Sequence, residues 1–485
     1  MNILRALDDP NVFAPFFRGD TWDSWRVFLA ALFALPMTAE QFAIYGQHTG
    51  RSTPPAQPSH EAWLVCGRRS GKSFILAVIA VFLSTFRDWR PHLGPGERAT
   101  VMVIAADRKQ ARTIMRYCLG LLRSVPMLSR QIESEAQERV DLRNRVTIEV
   151  HTASFRTTRG YTIVAGLLDE LAFWSGDDSA EPDYEVLAAL RPGMATIPNA
   201  VLLCASSPYA RRGALYDAHR KHFGKDGDSV LLWHAPTRSM NPTVPQSVIN
   251  EATERDPASA AAEYGAEFRA DIESFVAREA VEACVDAGLH ERAALSEIQY
   301  SAFVDPSGGS ADSMTLAIAH KEGVATVIDA VRERRPPFSP EDVVAEFSAL
   351  LKTYRVQKVT GDRYAGEWPR ERFRVHGIQY EPAAKPKTDL YRDLLPAINS
   401  AKIHLLDNAR LIAQIVGLER RTARGGRDSI DHAPGAHDDL ANATAGVLAA
   451  LQSGGSYTLD FIGDVDDLEL NRQWRFNQYW GRYRN

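Results

Sequence analysis

The stretch "VCGRRSGKSF", residues 65–74, ends as a phosphate-binding loop and begins one position out of step with it. The pattern G-x-x-x-x-G-K-[ST] asks for glycine where Cys66 stands; Gly67 comes one place late, followed by Arg68 and Arg69. The flanks decide the reading. "WLVC" (63–66) is a short apolar strand and "FILAVIAVFLSTF" (74–86) an apolar helix. Strand, glycine turn and helix N-terminus form the setting in which backbone N–H groups and the helix dipole hold a polyphosphate. Within it, Gly67, Arg68, Arg69, Ser70 and Gly71 are read as the cradle. Lys72 then reaches the β/γ-phosphates, and Ser73 offers its hydroxyl to Mg²⁺.

Further strands follow as near-continuous apolar runs: "TVMVIAAD" (100–107), "VTIEVHT" (146–152), "TIVAGLLDE" (162–170), "AVLLCASSP" (200–208) and "SVLLWHAPT" (229–237). Runs of this kind separated by helices predict a mainly parallel sheet covered on both faces. About 100 residues after the loop, one strand ends in Asp169-Glu170, an aspartate to hold Mg²⁺ beside a glutamate to orient attacking water. Ser206 and Ser207 either sense the γ-phosphate or form a plain turn before Pro208. Charge for the transition state is available from Arg68, Arg69, Arg156 or Arg159.

Near residues 290–298 the pattern restarts. "YSAFVDPS" (300–307), "MTLAIAHK" (314–321) and "VATVIDAVRE" (324–333) read as antiparallel strands, followed by a helix over 339–354 and strands at 356–363 and 378–383. This is how a ribonuclease-H-like α/β sheet begins, and it places Asp305 beside Asp362. A last helix over 438–453 opens with Asp438-Asp439. Three carboxylates so placed hold two Mg²⁺ or Mn²⁺ ions for phosphodiester hydrolysis. Asp439 is preferred as the third ligand, with Asp438 as the alternative, because an acid at Asp438 also serves as a helix cap. Asp312 is either a further ligand or a turn residue. Lys385, Lys387, Arg420, Arg421, Arg424 and Arg427 are expected on loops as a sequence-independent grip on DNA, or as ordinary solvated charge.

The bulk numbers are permissive. A chain of 485 residues predicts two or three domains, and a net charge of −5 confines any nucleic-acid contact to local basic patches. The four cysteines form no C-x-x-C pair and suit a reducing compartment. No signal peptide or membrane-spanning run is evident, so a soluble intracellular protein is expected.

In this order, "CGRRSGKS", "LLDE", "CASSP", "FVDPSGGSADS", "VTGDR" and "HDDLANA", spread over residues 65–445, resemble the large terminase subunit of tailed bacteriophages. The resemblance implies a P-loop ATPase domain followed by a ribonuclease-H-like nuclease domain. The expected divisions are an N-terminal helical segment (1–60), the ATPase (61–292), the nuclease (293–455) and a tail (456–485). It makes Gln41 the adenine-recognising glutamine. It further implies ATP with Mg²⁺, double-stranded DNA, a portal protein, a small terminase subunit and a homo-oligomeric ring on the portal. The setting would be the cytoplasm of an infected bacterium, with transient residence on the procapsid. The arginine- and aromatic-rich tail would be a portal-docking arm. Two rival readings remain: a helicase-like translocase whose second domain only binds DNA, and a structural protein with a vestigial loop.

Overall fold

The computed structural model describes residues 1–153, 160–174, 179, 181–310, 312–362, 367–422 and 428–453. The tail, Arg156, Arg159, Arg424 and Arg427 lie outside the described residues.

The first sheet contains β1 (Glu61–Cys66), β2 (Ala99–Ala105), β3 (Ile132–Glu135), β4 (Arg139–Leu142), β5 (Val146–Thr152), β6 (Thr162–Asp169), β7 (Val201–Ser206) and β8 (Val230–Ala235). Their order is β3-β4-β5-β2-β6-β7-β1-β8, parallel except for the β3-β4-β5 edge. Both faces are covered, which is why these strands read as unbroken apolar runs. Helix Lys72–Phe86 is buried from Ile75 to Ser84, as an all-apolar helix must be. It lies in one core with the N-terminal helices Ile3–Asp8 and Asp23–Leu32. The N-terminal helices thus share the core of the first sheet.

β9 (Ile272–Ser274) and β10 (Val285–Asp286), both before residue 293, pair with strands that follow it. β10 joins a sheet with β11 (Tyr300–Asp305), β12 (Met314–Glu322), β13 (Ala325–Arg334), β14 (Lys358–Gly361), β15 (Gln379–Pro382) and β16 (Ile403–Leu406), in the order β10-β16-β13-β12-β11-β14-β15. β12 is antiparallel to both neighbours, whereas β11, β14 and β15 run parallel. β9 pairs with β17 (Leu418–Thr422), which pairs with β18 (Asp428–His432), as a small antiparallel sheet. Two-residue and three-residue strands carry too little periodicity to read from sequence.

Helix Asp439–Ser453 crosses β11 so closely that Gly446 sits against the Phe303 ring, where no Cβ fits. This contact sets the helix start beside the end of β11. All four cysteines are buried and free. Among the described residues no helix is long and apolar enough to cross a membrane.

Candidate active sites

The carboxyl ends of β1, β6 and β7 converge on the first site, the edge at which parallel sheets present ligand-binding loops. Gly67 explains the shifted glycine. A side chain there would collide with Thr237 and lie 2.9 Å from the Tyr264 carbonyl, so glycine is needed for loop packing. Gly71 has φ +101°, a conformation that glycine adopts freely. The indole of Trp25 donates to the Ser70 carbonyl at 2.9 Å and ties the loop to the N-terminal helices.

Lys72, 4% exposed, donates to the Cys66 carbonyl (2.9 Å) and Ser207 Oγ (3.0 Å), and pairs with Glu170 at 3.3 Å. Ser73 Oγ donates to Asp169 Oδ2 at 3.0 Å, and Gln110 Nε2 does so at 3.2 Å. Asp169 is fully buried, and its Oδ1 has no hydrogen-bond partner. Desolvation, with the neighbouring Glu170 charge, pushes its carboxyl up to about 6. A buried carboxylate with one unused oxygen beside a serine hydroxyl fits a hard divalent cation.

Glu170 has φ +53°, a left-handed conformation that is uncommon for a non-glycine residue. Its Oε2 accepts from Ser207 N at 2.9 Å and lies 3.1 Å from Ser206 Oγ. β7 lies between β1 and β6, so Ser206 and Ser207 come between Lys72 and Glu170.

Other expected groups stand elsewhere. Arg68 is exposed and pairs with Glu263 at 3.2 Å; Arg69 is exposed at φ +64°, with its carbonyl accepting from Asn241. Gln41 closes a capping box: its Oε1 accepts from Thr38 N (3.0 Å), and its own N–H donates to Thr38 Oγ1. That side-chain oxygen is committed to its own helix, which a motif match does not reveal.

In the second unit, Val304 and Gly361 are direct partners across β11 and β14, so Asp305 and Asp362 leave the sheet side by side. The Tyr380 ring lies over Gly361, and its hydroxyl donates to the Asp362 carbonyl at 2.8 Å. Asn442 Nδ2 donates to Asp305 Oδ2 at 2.7 Å, from the helix that begins with Asp439. Asp305, Asp362, Asp438 and Asp439 border one cavity of about 1000 Å³, with Asp312, His432 and His437 on its walls. Desolvation pushes Asp305 up to about 7, and the carboxylates of Asp439, Asp362 and Asp438 add to the rise. Desolvation likewise pushes Asp439 up to about 6, with Asp438 adding to it. Asp439 Oδ2 is buried without a hydrogen-bond partner. Crowded acids with an unused oxygen are a donor set for divalent cations.

Asp438 differs from Asp439. It is 4% exposed and accepts from Lys387 (2.7 Å) and the Tyr391 hydroxyl (2.7 Å). Asp312 is exposed, and its carbonyl accepts from Ser307.

The basic residues depart from the expectation of free loop cations. Lys387 opens helix Lys387–Asn399, and Arg420 and Arg421 lie within β17. Lys385 pairs with Asp393, Lys387 with Asp431 and Asp438, Arg420 with Asp428, and Arg421 with Glu419. Only Lys387 draws its acids from far along the chain; the partners of Lys385, Arg420 and Arg421 lie within eight residues, and Lys385 and Arg420 stay about half exposed.

Sequence reasoning missed Asn442, Gln110, Trp25, Tyr380 and Tyr391. Only Asn442 carried a signal, three positions after Asp439 on one helix face.

No family model matches the chain, and no curated protein matches it. Solved structures similar to it include three from bacteriophages. The large terminase of bacteriophage HK97 has 15% identity and a TM-score of 0.37, over 88% of this chain and 99% of that one. The large terminase nuclease of thermophilic phage G20c has 16% identity and a TM-score of 0.31, over 35% and 95%. The same nuclease with bound magnesium has 16% and 0.32, over 36% and 96%. Each of these solved structures, whole chain or nuclease alone, is a phage large terminase.

Proposed function

We propose that this chain is a viral DNA-packaging motor, driving double-stranded DNA through a portal into a procapsid with ATP and cutting concatemeric DNA with a metal-dependent endonuclease. The observation that carries the reading is the presence in one chain of two separate acid centres, one built on a phosphate loop and one on paired sheet-end aspartates. The domain division is part of this proposal, with the second unit drawing in β9 and β10.

In the first centre, the loop N–H groups and Lys72 take the polyphosphate. Ser73 and Asp169 would hold Mg²⁺, which supplies charge neutralisation at the phosphate oxygens. Glu170 orients the attacking water and accepts its proton at the carboxylate. Ser206 and Ser207 touch that carboxylate, so a change at the γ-phosphate reaches β7 first.

In the second centre, Asp305, Asp362 and Asp439 would hold two Mg²⁺ or Mn²⁺ ions, which lower the pKa of water and stabilise the leaving oxygen. Asn442 fixes the Asp305 carboxylate, and Tyr380 fixes the backbone at Asp362. Portal, small terminase subunit and a ring of copies in the host cytoplasm complete the proposal.

Plasmid cleavage in Mn²⁺ separates this reading from a translocase whose second unit only binds DNA. The proposal expects nicking and linearisation that Asp305→Ala and Asp362→Ala abolish. Cleavage that survives both substitutions refutes the nuclease assignment.

A further inference from the structure

We propose that Lys387 is a built-in cation of the second centre and a positioning residue for its carboxylates; this rests on the nuclease reading above. The Lys387 ammonium lies 2.9 Å from Asp438 Oδ1, 2.7 Å from Asp438 Oδ2 and 3.1 Å from Asp431 Oδ1. Three donors on one point charge suit three acceptor oxygens. Asp431, His432 and Asp438 bring ligand atoms within 4.8 Å of one another, a spacing that suits a metal ion. The ammonium takes that place.

The consequence for the centre is selection between adjacent aspartates. Tyr391, one turn along the helix from Lys387, donates to Asp438 Oδ2 at 2.7 Å. Asp438 is thereby committed to the protein. Asp439 keeps a buried oxygen without a hydrogen-bond partner, while its carbonyl is held by the Thr315 hydroxyl at 2.8 Å. Lys387 also offsets one charge in a cavity bordered by five aspartates. It further ties β18, through Asp431, to the start of the catalytic helix.

Without the amine, Asp431, His432 and Asp438 form an uncompensated oxygen and nitrogen cluster able to take a divalent ion. The test counts Mn²⁺ bound to the full chain without nucleotide, by electron paramagnetic resonance of free Mn²⁺. The proteins are wild type, Lys387→Ala, Lys387→Met, Lys387→Arg and the Lys387→Ala/Asp431→Asn double variant. Lys387→Ala and Lys387→Met are expected to bind one more Mn²⁺ than wild type. Lys387→Arg keeps the wild-type number, and the double variant loses the extra ion.

Cleavage by Lys387→Ala should fall at least tenfold at low Mn²⁺ and recover as Mn²⁺ is raised, with ATP turnover unchanged. Wild-type Mn²⁺ counts in both neutral variants, or an extra ion in Lys387→Arg, overturn the proposal. Should Lys387→Ala fail to fold, Lys387→Met and Lys387→Arg decide it. If wild type does not cleave at all, the nuclease reading fails, while the ion count still tests the placement of Lys387.

Discussion

Ser73 donates its hydroxyl to Asp169 at 3.0 Å, joining two residues 96 positions apart across the phosphate loop and β6. Asp169 is fully buried with one unpartnered oxygen, so its charged form is poorly supported by protein alone. Asp169→Asn should therefore raise the melting temperature of the metal-free protein while removing the further rise given by Mg²⁺ with ATPγS. Thermal unfolding with and without the nucleotide checks both directions.

Glu170 is held between Lys72 and the Ser207 amide, in a backbone conformation that costs about 1–3 kcal/mol. Such strain is retained where a carboxylate must be aimed. Glu170→Gln should bind ATP as wild type does and hydrolyse it about 10²–10⁴-fold more slowly. Nucleotide binding by fluorescence and single-turnover hydrolysis separate the two quantities.

Glu419 is fully buried on β17 and accepts from Tyr209 at 2.9 Å, with Arg212 and Arg421 completing its shell. Tyr209 and Arg212 follow the Ser206-Ser207 pair, so this clamp joins the two units just behind the first centre. Glu419→Ala should cost about 3 kcal/mol, the low end for breaking a buried ion pair. The arginines are each about a third exposed, and water takes part of the penalty. Tyr209→Phe should cost about 1 kcal/mol. Denaturant unfolding of both variants measures these values.

His219, His234 and His48 form a contact chain between helices Gly213–His222 and Ala39–Thr49 and strand β8. Desolvation lowers all three, with His219 down to about 4. The unfolded chain, with histidine near 6.5, then binds more protons than the folded one between about pH 6.5 and 4. Stability from this cluster is full above 6.5 and lost as pH falls through that window. His219→Gln should flatten the loss, read as melting temperature against pH.

Much of this architecture was legible because its signals are local. Apolar runs ending in Asp169, Ser206 and Asp305 announced strand ends, and the adjacency of β11 and β14 followed from their order. What escaped depends on distant partners. Lys387 looks like a free cation until Asp431 and Asp438 arrive from more than 40 residues along the chain. Gly67 looked misplaced because its reason, the approach of Thr237 and Tyr264, lies in a segment far downstream in the sequence. The strands β9, β10, β17 and β18 are too short or too charged to show a period.

The central claim is that two independent hydrolytic centres share this chain. One panel tests it most directly: DNA-stimulated ATP turnover and Mn²⁺-dependent plasmid cleavage measured side by side for wild type, Lys72→Ala and Asp305→Ala. The account predicts that Lys72→Ala abolishes ATP turnover and still cuts, while Asp305→Ala still turns over ATP and no longer cuts. Wild-type protein lacking either activity, or Lys72→Ala and Asp305→Ala each leaving both activities intact, would contradict it.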